Sequence, residues 1–441
     1  MKALHALAAF VILLSLNLSA APAQPAVKAR VAVELPALQK LYQKIHANPE
    51  LSFQEKETAA TLAAELRQLG FTVSTGIGGH GIVGVLKNGE GPTVLVRCDM
   101  DALPVKEATG LPFASKKTAT DGAGKIVPVM HACGHDINMT CWVGAARVLA
   151  HFRKQWRGTL VFIGQPAEER GAGARAMLGE GLFKKFPVPD YCLALHVSSD
   201  QPAGTLGFTS GYAMANVDSV DITVRGVGGH GSQPQSAKDP IVLSAQIVLA
   251  LQTIVSREIH PLDPAVVTVG SIHGGTKHNI IPDDVHLQLT LRSYSDEVRA
   301  KLIAAIQRIV KGQAVAAGLP EDKHPVVKVK DEFTPAAYND PKLVARLNGV
   351  FAEWFGKDIL IERKPTMGGE DFGRYGRTEH KIPIYMFRLG AVSPAALKRA
   401  QAQGEPLPSL HSAKFAPDTS CIQTGVTAMT AAVLQLLSKG K

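Results

Sequence analysis

Three apolar runs, Thr93–Arg97, Thr159–Gly164 and Tyr191–Leu195, each lead straight into a cluster of acids or imidazole. The first runs into Cys98-Asp99-Met100-Asp101, the second into Gln165-Pro166-Ala167-Glu168-Glu169, and the third into His196. Short continuous apolar runs read as strands buried on both faces, and helical patterns lie between these three. One helix reads from Asp136, as its cap, to Phe152; upstream, helical periodicity covers about Leu38 to Leu69, broken near Asn48-Pro49 and stopped at Gly70. Such alternation predicts an α/β fold with a largely parallel central sheet and helices on both faces. In that fold, ligands bind beyond the carboxyl ends of the strands, where the polar clusters fall.

Near Val217 the rhythm changes. Val220, Ile222 and Val224 alternate with polar residues, and a helix reads from about Ile241 to Ile259. Strands Ala265–Ile272 and Val285–Arg292 follow, the second with Val285, Leu287, Leu289 and Leu291 on one face. A helix capped at Ser295 and ending at Gly318 precedes a last strand near Val326–Val329. The order β-α-β-β-α-β predicts an inserted ferredoxin-like α+β unit. The expected division is residues 216–327 as the insert, and 24–215 with 328–441 as the surrounding domain. A chain of 441 residues suits two such units.

Residues 1–23 read as a cleaved secretory signal, with Lys2 and His5 before the apolar run Ala6–Leu18 and an A-x-A site at Ala21-Pro22-Ala23. The expected location is therefore secreted or periplasmic. After cleavage no membrane association is expected, since no other segment reads as long and apolar enough to span a bilayer. Five cysteines are too few, and odd in number, for a disulfide scaffold; at least one should be a free thiol or a metal ligand. The formal charge of +9 is spread without basic runs or interleaved aromatics, which argues against nucleic acid as a partner.

Met130–Asp136, M-H-A-C-G-H-D, carries the densest set of metal-type side chains. In an extended segment His131, Cys133 and His135 would share a side, with Gly134 allowing close backbone approach. Thiolate with imidazole suits a borderline-soft divalent ion. A haem attachment motif is absent, and so is the P-C-x-x-C of nucleobase deaminases. Of the paired glutamates, one can bind metal while the other takes a proton from water. Alone, Cys133 would read as a core thiol and Glu168-Glu169 as a solvated pair. Their convergence on one sheet edge favours a metal site.

These segments resemble the aminoacylase, hippurate hydrolase and indole-acetyl-amino-acid hydrolase family of dinuclear metallopeptidases. The matching stretches are H-A-N-P-E-L-S-F (46–53), R-C-D-M-D-A-L-P (97–104), M-H-A-C-G-H-D (130–136), Q-P-A-E-E (165–169) and L-H-V (195–197), continuing with G-G-H-G-S-x-P (228–234), N-I-I-P-D (279–283), G-G-E-D-F (368–372) and H-S-A-K-F (411–415). The resemblance implies that Cys133, His135, Glu169, His196 and His411 hold two divalent ions, zinc or manganese, with Cys133 bridging. It implies Glu168 as general base, Asp99 as an orienting carboxylate, and an inserted domain that acts as a lid and forms a homodimer. His230 would reach the partner's active site and stabilise the oxyanion, while Asn279 and Arg292 would hold a substrate carboxylate. The implied reaction cleaves an N-acyl amino acid to a carboxylic acid and an amino acid. A secreted dipeptidase or carboxypeptidase with the same metals is the alternative; a metal-storage protein or a redox protein built on Cys133 and Cys141 fits less well. Gly369 replaces a common Ser, Cys98 a common Ala, and Thr118–Val129 is longer than usual before the metal-binding turn.

Overall fold

The computed structural model describes residues 22–437. The expected signal segment, apart from Pro22 and Ala23, lies outside them.

The chain opens with helices α1 (Gln24–His46) and α2 (Lys56–Gln68). α1 begins well before the expected Leu38, because Pro36 sits inside the helix instead of ending it. Strands β1 (Thr72–Ile77), β2 (Gly81–Asn88) and β3 (Thr93–Asp99) follow, then α3 (His135–His151), β4 (Gly158–Gln165), β5 (Tyr191–Pro202) and β6 (Leu206–Phe208). After a second unit, described below, come β11 (Leu360–Glu362), β12 (Ile384–Val392) and a long C-terminal helix (Cys421–Leu437).

The large sheet has the order β1-β2-β4-β3-β5-β12-β6-β11. Its centre, β4-β3-β5-β12, is parallel throughout, while β1, β2 and the β12–β6 pair are antiparallel. Alternate residues of each central strand enter different cores. Val94, Val96, Leu160 and Phe162 pack with α1, α2, α3 and the C-terminal helix; Leu95, Val161 and Ile163 face a second layer with Met177, Phe372 and Tyr375. Burial on both faces explains why these strands are continuously apolar.

The second unit is built from β7 (Asn216–Arg225), α4 (Pro240–Thr253), β8 (Ala265–Gly274), β9 (Asp284–Ser293), α5 (Asp296–Ala316) and β10 (Val326–Val329). Its sheet order is β8-β9-β7-β10, all antiparallel, as a ferredoxin-like unit requires. Val285, Leu287, Leu289 and Leu291 do share a buried face, against Leu243, Ile247 and Leu251 of α4 and Leu302, Ile306 and Val310 of α5. The Ser295 hydroxyl accepts a hydrogen bond from the Val298 amide and caps α5.

Two expectations need correction. Pro240–Glu258 is, at 19 residues, long and apolar enough to cross a membrane by length and composition. Its inner face packs on the sheet, while Ile241, Val242, Leu249 and Val255 remain exposed. Nor does Asp136 cap α3. The helix starts one residue earlier, at His135, after Gly134 in the left-handed region (φ 77°), and the Asp136 carboxylate accepts from the Ile137 amide. All five cysteines are free and buried.

Candidate metal centre

β3 and β4 stay paired to the ends Asp99 and Gln165, whereas β5 pairs with β3 only as far as Ala194. Beyond that point β5 continues beside β12 alone, and a crevice opens at the carboxyl edge of the sheet. His196 therefore lies inside a strand that continues to Pro202, not just past its end as the sequence suggested. The segment before α3 is also not extended. Ala132 and Cys133 form a turn, which carries Cys133 and His135 into the crevice and leaves His131 out of it. His131 is buried, with neither ring nitrogen hydrogen-bonded among the described residues, and burial lowers its pKa to about 4.

The five expected ligands form two overlapping groups. Cys133, His135 and His196 place one ligand atom each within 4.8 Å of one another, and so do Cys133, Glu169 and His411. Cys133 belongs to both. Cys133 Sγ is 3.6 Å from His196 Nε2, and His411 Nε2 is 3.5 Å from Glu169 Oε2. Two backbone carbonyls fix the ring orientations. His135 Nδ1 donates to the Asp101 carbonyl (2.7 Å) and His196 Nδ1 to the Val197 carbonyl (2.8 Å), so each Nε2 turns towards the cluster. His135 Nε2 and Glu169 Oε1 are buried without a hydrogen-bond partner among the described residues. Buried polar atoms are costly unless something satisfies them, and a divalent ion suits this donor set. The residues fit a metal.

The Glu168-Glu169 turn is clamped by two buried carboxylates. Ala167 N donates to Glu55 Oε1 (2.8 Å), Glu168 N to Asp101 Oδ1 (3.1 Å) and Glu169 N to Asp101 Oδ2 (3.0 Å). Ala167 (φ 50°) and His411 (φ 68°) both occupy the left-handed region, which is strained for residues with a Cβ and is often held so at functional sites. Burial pushes the Glu168 carboxyl well above the usual carboxylate range; Glu370 and Glu169 push the same way, and His135 opposes them. Glu169 is pushed up to about 7, chiefly by burial.

Asp99 is fully buried between Arg97 (2.7 Å) and Asn138 (2.8 Å), 3.6 Å from His135 Nε2. Arg97 also binds Glu370 (3.0 Å) and Asp371 (3.3 Å), so one guanidinium holds three acids beneath the crevice. Asp101, Glu55, Glu370 and Asp371 had no assigned part in the sequence reading. Asp101 and Glu370 had a signal there: Asp101 is two residues from Asp99 in D-M-D, and Glu370 stands in G-G-E-D-F. Asp371 stands in the same motif, and only Glu55 carried no signal, because its partner amide is remote in sequence.

A cleft of 590 Å³ exposes the cluster, and the second unit contributes Val217, Ser219 and Arg292 to its wall. Arg292 is thus brought to the site. His230 and Asn279 are not. They stand together on the second unit, where His230 pairs with Ile280 and the Gly231 amide donates to the Asn279 carbonyl (2.9 Å), and neither lines the cleft.

Residues 95–435 match the profile of peptidase family M20/M25/M40, and the chain belongs to that family. Like its fellows it is a metal-dependent amidohydrolase. It is 39% identical over 355 residues to the hippurate hydrolase of Campylobacter jejuni, covering 79% of this chain and 87% of that one. It is 35% identical over 404 residues to thermostable carboxypeptidase 2 of Saccharolobus solfataricus (91% and 95%). Among solved structures, a dinuclear metal-binding M20 peptidase of Bacillus subtilis superposes with a TM-score of 0.73 at 27% identity, covering 94% of this chain and all of that one.

Proposed function

We propose that this enzyme hydrolyses the amide bond of N-acyl amino acids, releasing a carboxylic acid and an amino acid. The observation that carries this reading is the pair of ligand groups sharing Cys133, with Glu168 beside them. Two divalent ions, zinc or manganese, would be held by Cys133, His135, Glu169, His196 and His411; when bound they would polarise the amide carbonyl and make water a competent nucleophile near neutral pH. Glu168 takes a proton from the attacking water and delivers it to the departing amine. Asp101 and Glu55 fix where that carboxylate stands by gripping the backbone on which it rides. Asp99 balances the charge around His135. Arg292, on the cleft wall, receives the substrate's α-carboxylate through charge-assisted hydrogen bonds.

His230 and Asn279 do not line their own cleft, so their parts in oxyanion stabilisation and carboxylate binding would be played across a dimer, in a second copy's cleft. A homodimer through the inserted unit, residues 216–327, fits the surface. β8 is a ten-residue edge strand, Ile272 on it is exposed, and the outer face of α4 exposes Val242 and Leu249. A secreted or periplasmic location follows from reading residues 1–23 as a signal.

The test is Glu168→Gln. Metal content should be unchanged, while turnover of hippurate and N-acetyl amino acids falls by about 10²–10⁴-fold. Full activity in that variant would remove Glu168 from the mechanism. The likeness to a carboxypeptidase favours peptide cleavage as the second reading, and dipeptides assayed beside the N-acyl amino acids separate the two.

A further inference from the structure

Arg388 lies on β12 opposite His196 of β5, one strand spacing from the metal ligands. Its Nη2 touches the Met214 sulfur at 2.8 Å, and among the described residues no carboxylate comes within ion-pair distance of it. The contrast with Arg97 is sharp, since Arg97 is held by three acids from the same edge of the sheet. Glu370, the acid that acts most strongly on Arg388, gives its Oε1 to Arg97 instead. A half-buried guanidinium with no partner anion is left with unused donors that an incoming anion can satisfy.

Arg388 also stands between two cavities. It lines the metal cleft and, with Met214 and Leu410, a second cavity of 370 Å³ on the far side. That chamber has three cations, Arg363, Lys364 and Arg388, against one acid, Asp200. Arg363 is already engaged, its Nη1 and Nη2 donating to the two Asp200 oxygens at 2.9 and 2.7 Å. Arg388 and the exposed Lys364 are left to meet an anion. Hydroxyls of Thr366 and Ser409 add donors to the wall.

We propose that this chamber is a second anion subsite, in which Arg388 receives a carboxylate that the substrate carries in addition to its α-carboxylate. The inference rests on the N-acyl amino acid reading and narrows it: the preferred substrates are dianions. The extra carboxylate can belong to an acidic amino acid or to a dicarboxylic acyl group, and both present the same chemistry to a bidentate guanidinium.

The experiment compares each dianion with a monoanionic analogue that keeps only the α-carboxylate, on the metal-loaded enzyme: N-acetylglutamate against N-acetylglutamine, and N-succinylglycine against N-butyrylglycine. One pair should show a kcat/KM preference for the dianion of about tenfold or more, expressed in KM, and that pair identifies which end of the substrate enters the chamber. In Arg388→Gln the preference should collapse towards one, and Arg388→Lys should restore part of it. No preference in either pair, or an equal preference in wild type and Arg388→Gln, overturns the proposal. Calorimetry with glutarate and butyrate supplies a readout without turnover: glutarate should bind more tightly, and Arg388→Gln should erase the difference. If no N-acyl amino acid is cleaved while glutarate binding still depends on Arg388, the substrate reading fails and the anion subsite stands. Arg388-independent glutarate binding sinks the subsite alone.

Discussion

The two sheets of this molecule use charge in opposite ways. In the ferredoxin-like unit, β9 alternates cleanly: Val285, Leu287, Leu289 and Leu291 are buried, while His286 and Gln288 face water. Its core is mainly aliphatic, with Asn216, Asp218, Ser244 and Ser293 as its buried polar residues and Asp218 its buried acid, held by Arg299. The large sheet buries Arg97, Asp99, Asp101, His135, Gln165 and Asp371 at its carboxyl edge, and holds Ala167 and His411 in strained backbone conformations beside them. An apolar core is satisfied by volume and pattern, whereas a buried polar edge is stable only as a complete set of partners. The ferredoxin-like unit therefore tolerates change gradually. The edge of the large sheet should fail abruptly, and the candidate metal cluster lies there.

That contrast can be broken at several points, with the largest effect expected at the ligands. Cys133→Ser, or removal of metal by chelation, should cut hydrolysis by about a thousandfold or more, since Lewis-acid activation and ion placement are lost together. Readdition of zinc or manganese should rescue the chelated wild type and not the variant, as activity and elemental analysis would show. A variant that keeps both full metal content and turnover would dissociate the thiol from the site.

Arg97→Met comes next. It strands Asp99, Glu370 and Asp371 without their cation, and breaking such a buried set costs about 3–5 kcal/mol. Leu287→Ala, its counterpart in the other unit, should cost about 2–5 kcal/mol through a cavity and yet leave metal affinity intact. Denaturant titration together with metal binding checks both; equal loss of metal affinity in the two variants would erase the contrast.

A pH effect is expected from His46, which is buried behind the site between Asp136 (2.7 Å) and Glu107 (3.0 Å). Burial alone would lower its pKa, but the two carboxylates win and raise it from 6.5 to about 9. Between those values the folded protein holds a proton that the unfolded chain releases. The stability from this group is thus complete below about pH 6.5 and lost as pH rises through 9. The change amounts to about 3 kcal/mol, read as a falling midpoint in denaturant titrations. His46→Gln should flatten that slope, and an unchanged slope would show that His46 is not its source. The smallest effect belongs to the solvent face of the ferredoxin-like unit. Gln288→Lys should move stability by no more than about 0.5 kcal/mol in the same titration.

Much of the site was legible because it lies on short motifs. M-H-A-C-G-H-D and Q-P-A-E-E each deliver two of the residues that meet in the crevice, and the apolar runs before Asp99 and Glu168 identify the sheet edge. Legibility ended where a partner lay far along the chain. Glu55 binds an amide 112 positions away, and Arg97 binds Glu370 across 273. Local geometry was misjudged for a related reason. His131 alternates with Cys133 and His135 on paper, but the turn at Ala132-Cys133 takes it out of the cluster.

The sequence by itself determined the fold class and the alternation that builds the second sheet, both carried by periodicity, and its family resemblance pointed to the five side chains that converge. Only the tertiary structure decided which acids pair with Arg97, and that Arg388 is left without one. It also decided that Arg292 reaches the cleft while His230 and Asn279 do not. Pairing between distant side chains depends on where strands part and cross, as β5 parts from β3 after Ala194, and no local pattern of residues encodes that separation.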